Sequence, residues 1–130
     1  MNHFIGVVHK DEDSAFGVSF PDIPGCFSAA DDMAELIPQA TDALRLWFES
    51  EPMVEPRSVD VIRVEAARDL EEGAFLVAVP FIEDDSTPTR VNISLARGMR
   101  DAIDAAARAR GLTRSAFLAE AARKEIEGRH

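Results

Sequence analysis

The chain has 130 residues, 46% of them apolar, a length that suits one ordinary domain, or a small domain with an appendage, and a composition that excludes wholesale disorder. A formal net charge of −10 argues, as an average, against nucleic acid as a partner. The average conceals a division: residues 1–88 carry 19 Asp/Glu against 5 Lys/Arg, a net of −14, while residues 89–130 carry 9 Lys/Arg against 5 Asp/Glu, a net of +4, which points to two modules with different partners.

In chain order, HFIGVVH (3–9) and AFGVSF (15–20) are rich in β-branched and aromatic residues, and the polar stretch KDEDS (10–14) between them predicts a hairpin. The start MNHFIGVVHK has no basic segment followed by a long apolar one, so no signal peptide is expected. PDIPG (21–25) reads as a turn, because two prolines and a glycine cannot continue a ladder, and CFSA (26–29) as a third short strand. Cys26 is the one cysteine, so no intramolecular disulfide can form and a reducing, cytoplasmic compartment is expected. Beside its apolar neighbours it reads as a small core residue.

Asp31 or Asp32 can cap a helix running to about Ser50, with Glu35 three residues after Asp32 as in a capping box. Ala40, Ala43, Leu44, Trp47 and Phe48 give it an apolar stripe, and Pro38 predicts a kink or a late start. EPMVEP (51–56) is a break. Residues 58–69 combine a capping Ser58 with the β-branched run SVDVIRV and are read as helix. GAFLVAVPFI (73–82) reads as a buried strand; its apolar run is too short to span a bilayer and contains a proline. EDDSTP (83–88) reads as a linker. Residues 89–95, TRVNISL, alternate as a strand, followed by a helix over 97–110 that Gly111 can end and a second over 113–127 that Thr113 caps and Gly128 stops. Met99, Ile103, Ala106 and Ala107 line the first of these, and Phe117, Leu118, Ala121 and Ile126 the second.

The strand over 89–95 has no neighbouring strand to pair with, and a strand with two short helices has little core of its own. Two-fold symmetry answers both needs: two copies pair antiparallel, with Val91, Ile93 and Leu95 facing the helices and Ile103, Phe117 and Leu118 completing a dimer core. Arg90, Asn92 and Ser94 then project from one face of a two-stranded ribbon. The major groove admits such a ribbon, Arg matches guanine, Asn matches adenine and Ser serves either, so these three are the expected base readers. Thr113, Arg114 and Ser115, at a helix start, are the expected phosphate contacts.

With RVNISL, DAIDAAARARG and LTRSAFLAEAARKE in this order, residues 89–127 resemble a ribbon-helix-helix domain. VSFPDIPGCFSAADDMAELIPQATDALRLW resembles the N-terminal signature of HicB-type antitoxins, although Pro38 stands where that family usually has a helix former and Ala30 where it usually has glycine. The resemblance implies an α+β chain: a degraded RNase H-like body over residues 1–82, a linker at 83–88, and a ribbon-helix-helix domain over 89–130. It also implies an antitoxin that silences a HicA-type mRNA-cleaving toxin and represses its own operon by binding double-stranded operator DNA. A homodimer is expected, or a tetramer if the bodies also associate. The alternative reading is a ribbon-helix-helix repressor whose acidic body senses a ligand or only oligomerises.

No enzymatic activity, metal, cofactor or membrane contact is expected. Asp11, Glu12 and Asp13 are consecutive in a turn and scatter in direction, and Asp31 and Asp32 serve a cap, whereas a metal-dependent nuclease needs carboxylates converging from separate elements. His3, His9 and His130 have no ligand spacing with Cys26. Trp47 and Phe48 read as core, or as an anchor for a partner.

Overall fold

The first β-rich stretch becomes strand β1 (Asn2–Lys10) in a computed structural model that describes residues 1–83 and 87–129. The middle of the expected linker and His130 lie outside the described residues. β1 pairs antiparallel with β2 (Phe16–Ser19), β2 with β3 (Phe27–Ala30), and β1 on its other side with β4 (Phe75–Phe81). The sheet order is β3-β2-β1-β4, so β1 and β2 are inner strands.

Strand alternation divides the core into two. Phe4 and Val8 of β1 join Val18, Phe20, Val79 and Phe81 on one face, where helix α1 (Met33–Ser50) adds Leu36, Ala40 and Leu44. Ile5 and Val7 point to the other face, against Ile62 and Ala66 of the α2 (Val59–Glu65) and α3 (Ala67–Glu71) region, with Leu70 and Leu76 beside them. Cys26 is buried in the first core, where burial pushes its thiol pKa up, away from the thiolate form.

Each helix start is set locally. The Asp32 carboxylate accepts from the Glu35 N–H at 3.0 Å, and the Ser58 hydroxyl from the Val61 N–H at 3.4 Å. α1 begins at Met33, ahead of Pro38, so the late start expected from the proline does not occur; the ring lies within the second turn of an 18-residue helix. Tertiary contacts hold it there. Phe48 packs on Phe4 and Phe81 with ring centroids 5.6 and 5.1 Å away, and the buried Thr41 hydroxyl donates to the Pro80 carbonyl at 3.4 Å.

The run 73–82, which reads as a buried strand, forms the strand but is buried only in part: β4 is an edge strand, buried at Val79, Pro80 and Phe81, with Ala78 exposed. Its apolar run arises because helices cover both faces, so Phe75 and Val77 face one core and Leu76 the other. The edge position also tolerates Pro80, which has no N–H to offer a further strand.

A second compact unit holds the C-terminal residues, the division falling between Glu83 and Asp84. α4 (Arg97–Ala109) ends at Gly111, whose φ of 70° suits glycine, while the Leu112 N–H donates back to the Ala107 carbonyl at 2.8 Å. α5 (Arg114–Ile126) is capped by the Thr113 hydroxyl, which accepts from the Ala116 N–H at 3.1 Å. Ile103 and Ala107 of α4 are buried, and Phe117 and Leu118 of α5 are half-buried. The expected strand over 89–95 is not formed: residues 87–96 have no regular structure and are exposed. A single chain offers no second strand to complete a ladder there, and isolated extended backbone has nothing to hold it.

Gly6 lies at the centre of the sheet, where a Cβ would sit 2.7 Å from Val18 Cγ1 and 3.3 Å from Val77 Cγ2. Both neighbours are stiff β-branched side chains that cannot swing aside. Gly6→Ala is therefore expected to destabilise the N-terminal unit by about 1–3 kcal/mol, read as a lower urea midpoint at unchanged slope.

Candidate functional site

The C-terminal residues expected to meet DNA lie on two kinds of backbone. Arg90, Asn92 and Ser94 are exposed on the irregular segment before α4, interleaved with Val91, Ile93 and Leu95, which are 73%, 61% and 42% exposed. Of the expected dimer-core residues only Ile103 is buried within the single chain. Thr113, Arg114 and Ser115 are together at the start of α5, where the first backbone N–H groups of a helix are without intrahelical partners.

Arg114 carries a contact that the sequence reading missed. Its Nε and Nη2 donate to the two carboxylate oxygens of Asp104 on α4, at 2.8 and 2.7 Å. This hydrogen bond holds the Asp104 carboxyl below its ordinary pKa, with the charges of Arg100 and Arg108 helping, and raises that of Arg114. A second pair, Arg110 Nη2 to Glu120 at 2.8 Å, joins the same two helices, and Lys124 lies 3.2 Å from the same carboxylate. The ten-residue separation in each pair is the only trace in the sequence, and it becomes informative once α4 and α5 are known to pack against each other.

In the N-terminal unit the carboxylates that were considered and set aside for catalysis are placed as turn and cap residues. The Asp11 carbonyl accepts from the Ser14 N–H at 3.2 Å, and Asp32 caps α1. Among the described residues, no three His, Cys, Asp or Glu side chains stand close enough to hold a metal ion, and no helix is long and apolar enough to cross a membrane. Trp47 is half-buried against the core, and its ring lies 3.3 Å from where a Cβ would project at Gly25, whose φ of 96° already favours glycine.

The main polar feature of this unit is a clamp that was also missed. The Arg57 guanidinium donates from Nη1 and Nη2 to the Glu65 carboxylate at 2.9 and 2.7 Å, and from Nε to Asp22. The Arg57 N–H also reaches Asp22, at 2.9 Å, and the Asp22 side chain is only 3% exposed. Glu65 first, then Asp22, push the Arg57 pKa further up, so the charge is permanent. The PDIPG turn is thereby tied to α2. Beside the clamp lies an open cleft of about 460 Å³ between that turn and α2–α3, lined by Val7, Phe20, Pro24, Phe27, Glu65 and Asp69.

This architecture has known relatives. A family profile described as "HicB_like antitoxin of bacterial toxin-antitoxin system" matches residues 4–122. The chain belongs to the HicB-like antitoxin family. Among solved structures, the Burkholderia pseudomallei antitoxin HicB is 30% identical, with 97% of each chain covered and a TM-score of 0.51. The antitoxin HicB3 is 29% identical over 95% of this chain and 97% of that one, with a TM-score of 0.53. A chain in a HicA3 and HicB3 toxin-antitoxin complex is 26% identical, over 62% of this chain and 98% of its own, with a TM-score of 0.52. A UPF0150 protein of Archaeoglobus fulgidus is 36% identical over 52 residues, 40% of this chain and 75% of its own length.

Two outcomes are expected for this HicB-like chain. Arg57→Ala strands the enclosed Asp22 carboxylate, so it should lower the melting temperature more than Arg45→Ala, which removes an exposed pair with Asp42. The second concerns acid. Asp104 and Glu120 are held below their ordinary values of 3.8 and 4.5, so their pairs stabilise the folded unit above those values. That contribution is lost as pH falls through the lowered folded values. Circular dichroism should show α4–α5 weakening below about pH 4.5, with Asp104→Asn and Glu120→Gln blunting the dependence.

Proposed function

We infer that the acidic N-terminal unit binds and neutralises a HicA-type toxin, and that a dimer of the C-terminal unit represses the operon encoding both. The toxin half is carried by the relative found in a HicA3 and HicB3 complex, matched over 62% of this chain, a length close to that of Met1–Glu83. Charge supports it. A body with a net of −14 over residues 1–88 attracts a basic RNA-cleaving partner and competes with RNA for it. The body is read as a degraded RNase H-like fold that keeps a binding role without catalysis.

The DNA half rests on the segment 89–95. Three apolar side chains at alternate positions are exposed in one chain, ahead of two capped helices that bury little of their own surface. Antiparallel pairing with a second copy supplies the ladder, turns Val91, Ile93 and Leu95 inward over Ile103, Phe117 and Leu118, and leaves Arg90, Asn92 and Ser94 on the outer face. In this reading the ribbon enters the major groove, while Thr113, Arg114 and Ser115 hold the flanking phosphates. A ligand-sensing body is the second reading, favoured by the cleft of about 460 Å³ beside the clamp. A small basic protein encoded next to this gene and retained by residues 1–83 decides for the toxin.

The test is fluorescence anisotropy of the full chain on a duplex from upstream of its gene and on a scrambled duplex, at two salt concentrations. Asn92→Ala should cost roughly 1–3 kcal/mol on the upstream duplex and nothing on the scrambled one. Equal losses on both remove the base-reading role. In sedimentation, Ile93→Asp should convert dimer to monomer, since it puts a charge into the inner face of the ribbon.

A further inference from the structure

Arg114 is not a freely available cation. The bidentate contact with Asp104, at 2.8 and 2.7 Å, occupies its Nε and one hydrogen of Nη2, and leaves the outer edge at Nη1 for any other anion. Arg114 is half exposed and Asp104 less so, at 53% and 30%. Arg90 and Arg97 have no such partner among the described residues.

We propose that Asp104 is a built-in brake on DNA affinity, acting through Arg114. This rests on the DNA reading above. A phosphate that reaches the outer edge of Arg114 shares that guanidinium with a carboxylate already seated on it. Two anions on one cation repel, and the guanidinium charge is partly offset before DNA arrives. The released-counterion gain that a free arginine brings to a phosphate is therefore reduced at this position. Arg100 and Arg108 also lie near enough to act on the Asp104 charge, so one carboxylate tempers a cluster of three arginines. The device is sequence-independent. It lowers affinity for operator and non-operator DNA together, which favours a repressor that lets go of random DNA.

A double-mutant cycle in the full chain tests this, with Asp104→Asn, Arg114→Gln and the pair measured by anisotropy on the upstream and scrambled duplexes across a salt series. Asp104→Asn should tighten binding to both duplexes by about threefold or more, leave their ratio unchanged and steepen the salt slope by roughly one. Arg114→Gln should cost severalfold less while Asp104 is present than once Asp104 is Asn, where about tenfold is expected, because only then does Arg114 act with its full charge. An equal cost of Arg114→Gln in both backgrounds overturns the brake while leaving DNA binding intact, as does unchanged or weaker binding by Asp104→Asn. No binding of either duplex by any of the four proteins overturns the DNA reading and the brake with it. Melting curves verify that each variant is folded, and Asp104→Ala replaces Asp104→Asn if the latter is not.

Discussion

The N-terminal unit depends on the antiparallel pairing of β1 with β4, a contact between residues some seventy positions apart. It places β1 inside the sheet, hydrogen-bonded to β2 on one side and β4 on the other. Both cores follow from that placement, because alternate side chains of one nine-residue strand feed Phe4 and Val8 to α1 and Ile5 and Val7 to the α2–α3 layer. Closing this pair requires residues 11–74 to fold back as a unit, and the loop entropy of doing so is met by burial on two faces rather than one. Gly6 marks the tightest point, where the facing valines leave no space for a side chain.

The periphery of the unit is polar and mostly acidic, yet its best-built polar contact is the cation Arg57. By engaging Asp22 and Glu65 together it fixes the PDIPG turn against α2 and shapes one wall of the adjoining cleft. A buried carboxylate such as Asp22 is costly alone and is sustained by a fork of donors matched to it. Membership of the HicB-like antitoxin family gives this acidic surface a context, since the partner of an antitoxin is a protein and long-range charge speeds such encounters.

The C-terminal unit has the opposite economy. Two capped helices bury Ile103 and Ala107 and are joined by ion pairs between exposed side chains, which stabilise weakly. The segment in front of them has exposed apolar residues and no ladder. A unit so thinly supported gains most from association, and that same thinness is the physical ground for reading it as half of a dimer. The pairing of Arg114 with Asp104 shows further that the gross count of Lys and Arg overstates how many cations are available to a partner.

Local chemistry was legible residue by residue. The hairpin, the capping of α1 by Asp32, of α2 by Ser58 and of α5 by Thr113, and the stop at Gly111 each depend on groups within about four residues, so sequence alone announces them. The family signature around PDIPGC was legible for the same reason. Folding decided what distance hides: that β4 is an edge strand despite its apolar run, that Pro38 lies inside α1 because Phe48 and Thr41 anchor that helix to β1 and β4, and that Arg57 and Arg114 are each held by carboxylates eight to thirty-five residues away. The segment 89–95 falls on neither side of this division. Its alternation is plain in the sequence, but one chain does not supply the hydrogen bonds of a ladder, and the segment has no regular structure in it.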